Sequence, residues 1–144
     1  MKRAGREAHD RARMIVRWVL AALYLVAGYA HIAAPGTFLK IMPEWVPMPG
    51  TVVLLTGIAE AAGAVALVQP FSHRLRAAGA IGLALYALCV WPANVNHMMM
   101  DMARPDHGWG LAYHAPRMAL QPVLIWLALW SGGVTRWPLK KRAR

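Results

Sequence analysis

The chain has 144 residues, of which 58% are hydrophobic and 15% charged, with a mean hydropathy of +0.37. Such values lie outside the range of soluble globular domains and indicate a membrane protein. The net charge of +10 does not describe a nucleic-acid surface, because 11 of the 16 Lys and Arg residues fall in the first 17 or last nine positions, and the single Cys89 excludes an internal disulfide or a C-x-x-C centre.

A bilayer core needs roughly 20 apolar helical residues. Four stretches reach this length, at about 14–34, 51–69, 75–96 and 118–134, each bounded by proline, glycine or charge. They define a membrane domain over 14–135, preceded by a basic segment, 1–13, and followed by a basic tail, 136–144. The first stretch has the basic start and small residues (Gly28, Ala30, Ala33, Ala34) of a cleaved signal peptide, but its length and Arg17 favour a retained span.

The loops set an expected orientation. Lys2, Arg3, Arg6, Arg11, Arg13, Arg17, Arg74, Arg76, Arg136, Lys140, Lys141, Arg142 and Arg144 share one side; Lys40, Arg104 and Arg117 take the other. The positive-inside rule then places both termini in the cytoplasm, with the terminal charges facing anionic lipid. Trp18, Trp130 and Trp137 at one boundary, and Trp45, Trp91 and Trp109 at the other, read as interfacial belts. The expected fold is all-α, an antiparallel four-helix membrane bundle. Its long outer segments, Pro35–Gly50 and His97–Pro116, are expected to form a flexible lid.

An ionisable side chain within a span is costly unless it is protonated, paired or facing a wet cavity. Glu60 is such a residue, roughly 13 Å into the second span by helical rise. Its i±3 and i±4 neighbours are Thr56, Gly57, Gly63 and Ala64, so small residues let another helix approach it; Leu54, Leu55, Ile58 and Val65 occupy the rest of the helix. At comparable depth lie His31 near the end of span one and Asn94 just after Pro92, whose missing N–H frees a backbone acceptor. Span four brings Arg117 and Gln121. These five residues are expected to converge in the outer half of the bundle, with Glu60 and His31 as the catalytic candidates. Asn94, Arg117, Gln121 and His97 are the ligand-binding candidates. Each also has a purely structural reading: helix-clamping hydrogen bonds for Glu60, Asn94 and Gln121, an interfacial contact for His31, a lipid anchor for Arg117.

The run His97-Met98-Met99-Met100-Asp101-Met102, with His107 and His114, carries thioether and imidazole groups suited to copper or haem iron, but no His-x-x-x-His register. A lid with incidental Met and His is the favoured reading. No phosphate loop, G-x-S-x-G elbow or H-E-x-x-H occurs, and Ser72 and Ser131 lie away from the polar residues.

Several short motifs occur in order: Gly28-x-x-His31 with Pro35 and Phe38; Ile41-x-Pro43-x-x-x-Pro47; Gly57-x-x-Glu60; Arg74 with Ala77 and Ala78; Pro92-Ala93-Asn94; and Arg117-x-x-Leu120-Gln121-Pro122. Over residues 18–131 this set resembles the DoxX-like family of small bacterial membrane proteins. The resemblance implies a four-span bundle in a bacterial inner (plasma) membrane. It also implies a role as a membrane subunit linked to quinone-dependent oxidation, as in thiosulfate:quinone oxidoreductase, or as a partner of enzymes in oxidative-stress and thiol metabolism. The Met-rich outer rim departs from the family pattern.

The leading expectation is a subunit that binds a quinone or similar apolar ligand, with protons exchanged at Glu60 and electrons supplied by a redox partner protein. The alternatives are an autonomous enzyme acting on a small hydrophobic substrate, with His31 or His97 ligating haem, and a non-catalytic scaffold for a periplasmic partner. Copper and haem are the less favoured cofactors. A homo-oligomer could form through small-residue patches that include Gly79 and Gly82.

Overall fold

The computed structural model describes residues 2–135. The basic tail expected at 136–144, with Trp137, lies outside the described residues. Within them the chain is all-α: α1 (Lys2–Ala33), α2 (Pro35–Leu39), α3 (Pro49–Val68), α4 (His73–Met102) and α5 (Gly110–Ser131). Helix α1 packs on α3, α3 on α4 and α4 on α5, with α5 closing more lightly against α1. Three segments, Glu7–Ala33, Pro49–Val68 and His73–Met102, are long and apolar enough to cross a bilayer. Helix α5 does not join them, since His114, Pro116, Arg117, Gln121 and Pro122 dilute its apolar half.

Each long helix buries only a narrow stripe. On α3 it is Val53, Gly57, Glu60, Gly63, Ala64 and Leu67, while Leu54, Leu55, Ile58 and Val65 remain exposed. A stripe at alternating steps of four and three is the seam of close, near-antiparallel packing. The exposed face is as apolar as the buried one, as expected where lipid replaces water as the solvent, and the chain is on these grounds a membrane protein. The core gathers Leu20, Ala21 and Tyr24 of α1, Ala64 and Leu67 of α3, Ala80, Leu83 and Ala84 of α4 and Ala128 of α5.

Glycines set the helix spacing. A Cβ at Gly28 would lie 2.7 Å from the Gly57 carbonyl oxygen, and one at Gly57 would lie 2.8 Å from His31 Cβ, so α1 and α3 touch backbone to backbone. Gly79 likewise packs against Ala66 and Gly63 within the chain, whereas Gly82 has nothing within 4 Å of an added Cβ. Only the latter leaves a small-residue face free for lipid or another copy.

Several boundaries differ from the sequence reading. Helix α1 begins at Lys2, so the basic segment continues the first span as helix. Helix α4 runs through Pro92 to Met102, and α5 starts at Gly110. Hence His97–Met102 and Gly110–Pro116 are helix ends where a lid was expected: no breaker follows His97 until Pro105, and the methionines and Ala103 sustain a helix. Trp130 is buried rather than interfacial; it meets His9 edge to face, stacks on Trp126 and lies under the Arg13 guanidinium.

Candidate functional site

At the end of the molecule that carries α2, the long helices part around a cavity of about 740 Å³. Its size is within the roughly 300–1,000 Å³ typical of small-molecule sites. His31, Glu60, Asn94, Arg117 and Gln121 all line it, among walls that include Leu20, Ala27, Val53, Leu120 and Leu124. The five polar residues singled out in the sequence therefore share one space. His97 does not line it and sits one contact further out.

The glycine crossing explains how Glu60 and His31 meet. Gly28 lies against Glu60 and Gly57 against His31, so each glycine stands three residues before the functional side chain of its own helix. Helical side chains lean toward their own N-terminus. In this antiparallel pair His31 and Glu60 thus lean toward each other, and His31 Nδ1 lies 2.9 Å from Glu60 Oε2. The same nitrogen is 2.9 Å from the Ala27 carbonyl oxygen, to which its N–H is aligned. Glu60 Oε2 is left without a well-directed donor. It belongs to a residue only 2% exposed. A buried carboxylate oxygen in that position is an unfilled hydrogen-bonding site within the cavity wall.

Two tyrosines complete this region. Tyr86 of α4 has its hydroxyl in hydrogen-bonding reach of Glu60, and Tyr24 of α1, ring centroid 6.1 Å from that of Tyr86, has a buried hydroxyl with no partner. Phe38 of α2 stacks on the His31 ring at 3.7 Å between centroids, closing the cavity from the loop side. Asn96 donates to the Ile41 carbonyl and ties this loop to α4.

Across the cavity, Arg117 is held on three sides. Its Nη2 donates to Asn94 Oδ1 at 2.6 Å, its Nη1 donates to His97 Nδ1 at 3.1 Å, and its guanidinium lies 4.9 Å from the Tyr113 ring centroid. A planar fork fixed by two acceptors and an aromatic face has little freedom left, which favours recognition of a ligand oxygen over lipid anchoring. A shallower apolar groove along α4, lined by Leu88, Trp91, Val95 and Met99, shares Pro43, Trp45 and Pro92 with the cavity.

Beyond Arg117 lies a second polar group. Asp101 Oδ2 accepts from His114 Nε2 at 3.0 Å and from the Trp109 N–H at 3.0 Å, and stands 3.7 Å from His97 Nε2. His107 and Gly108 both adopt positive φ, 55° and 51°, which turns the chain so that Trp109 faces Asp101. A Cβ at Gly108 would collide with the Asp101 carboxyl.

The sequence reading did not place Tyr24, Tyr86, Phe38 or Asp101 in a site. Tyr24 is two helical turns before His31, a spacing that could have revealed it. Asp101 could have been found from His97-x-x-x-Asp101, the helical register sought only between histidines.

The fold and cavity define an α-helical membrane protein with an apolar pocket carrying a small set of converging polar groups. Residues 20–132 match a family model described as a domain of unknown function, DUF8561, and the chain belongs to that family. No curated protein and no solved structure matches it.

Proposed function

We propose that the chain is a quinone-binding subunit, or a subunit binding a similar hydrophobic ligand with a polar head, in an inner-membrane redox system, as the DoxX-like resemblance also suggests. In this reading α5 is a fourth span, both termini are cytoplasmic, and the cavity lies in the outer half of an antiparallel four-helix bundle. The observation that carries it is the meeting of five polar side chains, from all four long helices, in one apolar-walled cavity. Separate helix clamps would not need to share a space.

A quinone becomes a quinol by taking two electrons and two protons. The electrons come from a redox partner protein. Arg117, Asn94 and Gln121 bind and orient the ring oxygens, while Glu60, in reach of His31 and Tyr86, passes one proton to the oxygen at the deep end; water supplies the second proton to the other oxygen and returns one to Glu60. The apolar groove beside Trp91 and Pro92 gives a ligand dissolved in lipid a path to the cavity.

The test is native mass spectrometry and binding titration of the detergent-released protein with a short-chain benzoquinone. One equivalent is expected per chain. Replacing Arg117 and Gln121 by Ala should weaken binding by at least about tenfold, or about 1.4 kcal/mol. Glu60→Gln should retain the ligand and lose proton uptake on its reduction. Absence of saturable binding, or binding indifferent to these changes, overturns the reading and leaves the cluster as a helix clamp in a scaffold.

A further inference from the structure

The group formed by His97, Asp101 and His114 takes no direct part in the cavity, and its geometry asks for a separate explanation. Two imidazole nitrogens from different helices converge on one carboxylate oxygen, Asp101 Oδ2, at 3.7 and 3.0 Å. One ligand-capable atom from each of the three residues lies within 4.8 Å of the other two. A metal bonded at about 2.0–2.1 Å in a tetrahedral site separates its ligand atoms by roughly 3.3 Å. The existing spacings bracket that value.

The surroundings are those of a built site. His114 is 0% exposed, and Asp101 is buried beside it. Asp101 and His97 are one helical turn apart on α4, His114 comes from α5, and the strained His107–Gly108 turn brings the Trp109 N–H onto the carboxylate. The His114 ring is held at Nε2 by Asp101, so the nitrogen that faces the group is the one whose place is fixed, while Nδ1 is buried with no partner.

We propose that His97 Nε2, His114 Nε2 and Asp101 Oδ2 bind a divalent first-row transition-metal ion, with at least one coordination position open. Two imidazoles with one carboxylate suit zinc, iron(II) or copper(II) and do not suit calcium or magnesium, which take all-oxygen sets. The neighbouring methionines are not required. Without an ion, Arg117 donates to His97 Nδ1, so the proton of the neutral ring sits on Nε2, where the ion would bind. Loading moves the proton of each neutral ring from Nε2 to Nδ1. At His97 this ends the hydrogen bond from Arg117, which keeps its hold on Asn94. Metal occupancy would therefore be sensed at the cavity through Arg117, although the site itself does not depend on what the cavity binds.

The experiment uses the full chain in mild detergent, stripped with a chelator and loaded with Zn²⁺ or Co²⁺ alone. Elemental mass spectrometry should give one ion per chain, and Co²⁺ should show the visible bands of a low-coordinate nitrogen- and oxygen-ligated centre. Loss of a direct ligand should exceed the roughly 10- to 100-fold drop in affinity that follows loss of a supporting hydrogen bond. The decisive variant is His97→Ala, because this ring is 18% exposed and its removal is least disruptive to folding. Asp101→Asn should behave in the same way, and His73→Ala, at an exposed residue at the far end of α4, should bind as the unaltered chain does. Circular dichroism and elution volume identify any variant that has lost its fold. The proposal fails if no stoichiometric ion is taken up, or if folded His97→Ala binds the ion as tightly as the unaltered protein.

Discussion

Two histidine–carboxylate groups lie at the same end of this molecule and are built on opposite plans. His31 and Glu60 meet between α1 and α3 because two glycines bring the backbones together, and Glu60 Oε2 is left without a directed donor in an apolar cavity. Asp101 is instead gripped by a loop N–H and a buried imidazole, with a second imidazole close by. The first arrangement keeps a polar atom unspent in the wall of a cavity. The second fills the same kind of carboxylate with donors. Helix spacing creates the one, and loop geometry creates the other.

The largest way to break the contrast is through the crossing. Gly28→Val places a branched side chain against the Gly57 carbonyl, so α1 and α3 must separate. A loss of about 1–3 kcal/mol is expected, together with the His31–Glu60 contact and any cavity ligand, while the Asp101 group is spared. Thermal unfolding in detergent and ligand titration measure the two effects. Gly82→Ala, with open space around it, is the control and should be neutral or slightly stabilising.

Exchanging the carboxylates for amides should next separate the groups by what is lost. Asp101→Asn removes the charge that its donors serve and should lower the thermal midpoint. Glu60→Gln should change stability by less than about 1 kcal/mol, because few aligned hydrogen bonds are given up. A larger drop for Glu60→Gln than for Asp101→Asn would reverse the assignment of roles.

Arg117→Lys sharpens the comparison where the groups join. A lysine keeps the charge but cannot serve Asn94 and His97 as a planar fork, so cavity-ligand affinity should fall about tenfold, read by titration, with a smaller effect on stability. The smallest effect is expected at Asp106. The Arg104 guanidinium, at 2.9 Å, and the Gly108 N–H hold its carboxyl below the usual carboxylate range. The pair's contribution is complete above the ordinary carboxylate value of about 3.9 and fades only as pH falls through the lowered one. Because the pair is exposed, Asp106→Asn should leave the unfolding midpoint near neutral pH unchanged.

Much of the fold was readable because lipid imposes a simple rule. Long apolar runs with small residues beside Glu60 point to α3 and its buried face, and Asn94, Arg117 and Gln121 fall at matching depth in the sequence and around one cavity in the structure. Helix ends were less readable. Hydropathy falls after Asn96, yet α4 continues, since helix formation and membrane residence are different questions answered by the same residues. Hidden too were contacts that depend on a turn. Nothing in Asp106-His107-Gly108 announces that two successive positive φ values will fold Trp109 back onto Asp101.

The two kinds of glycine contact also differ in what genetics could repair. A Cβ added at Gly63 would meet the Leu83 side chain, so trimming Leu83 offers an intragenic suppressor. A Cβ added at Gly28 would meet a carbonyl oxygen of the main chain, which no substitution can shorten. Revertants of Gly63 variants should therefore include second-site changes, and revertants at Gly28 should restore glycine itself.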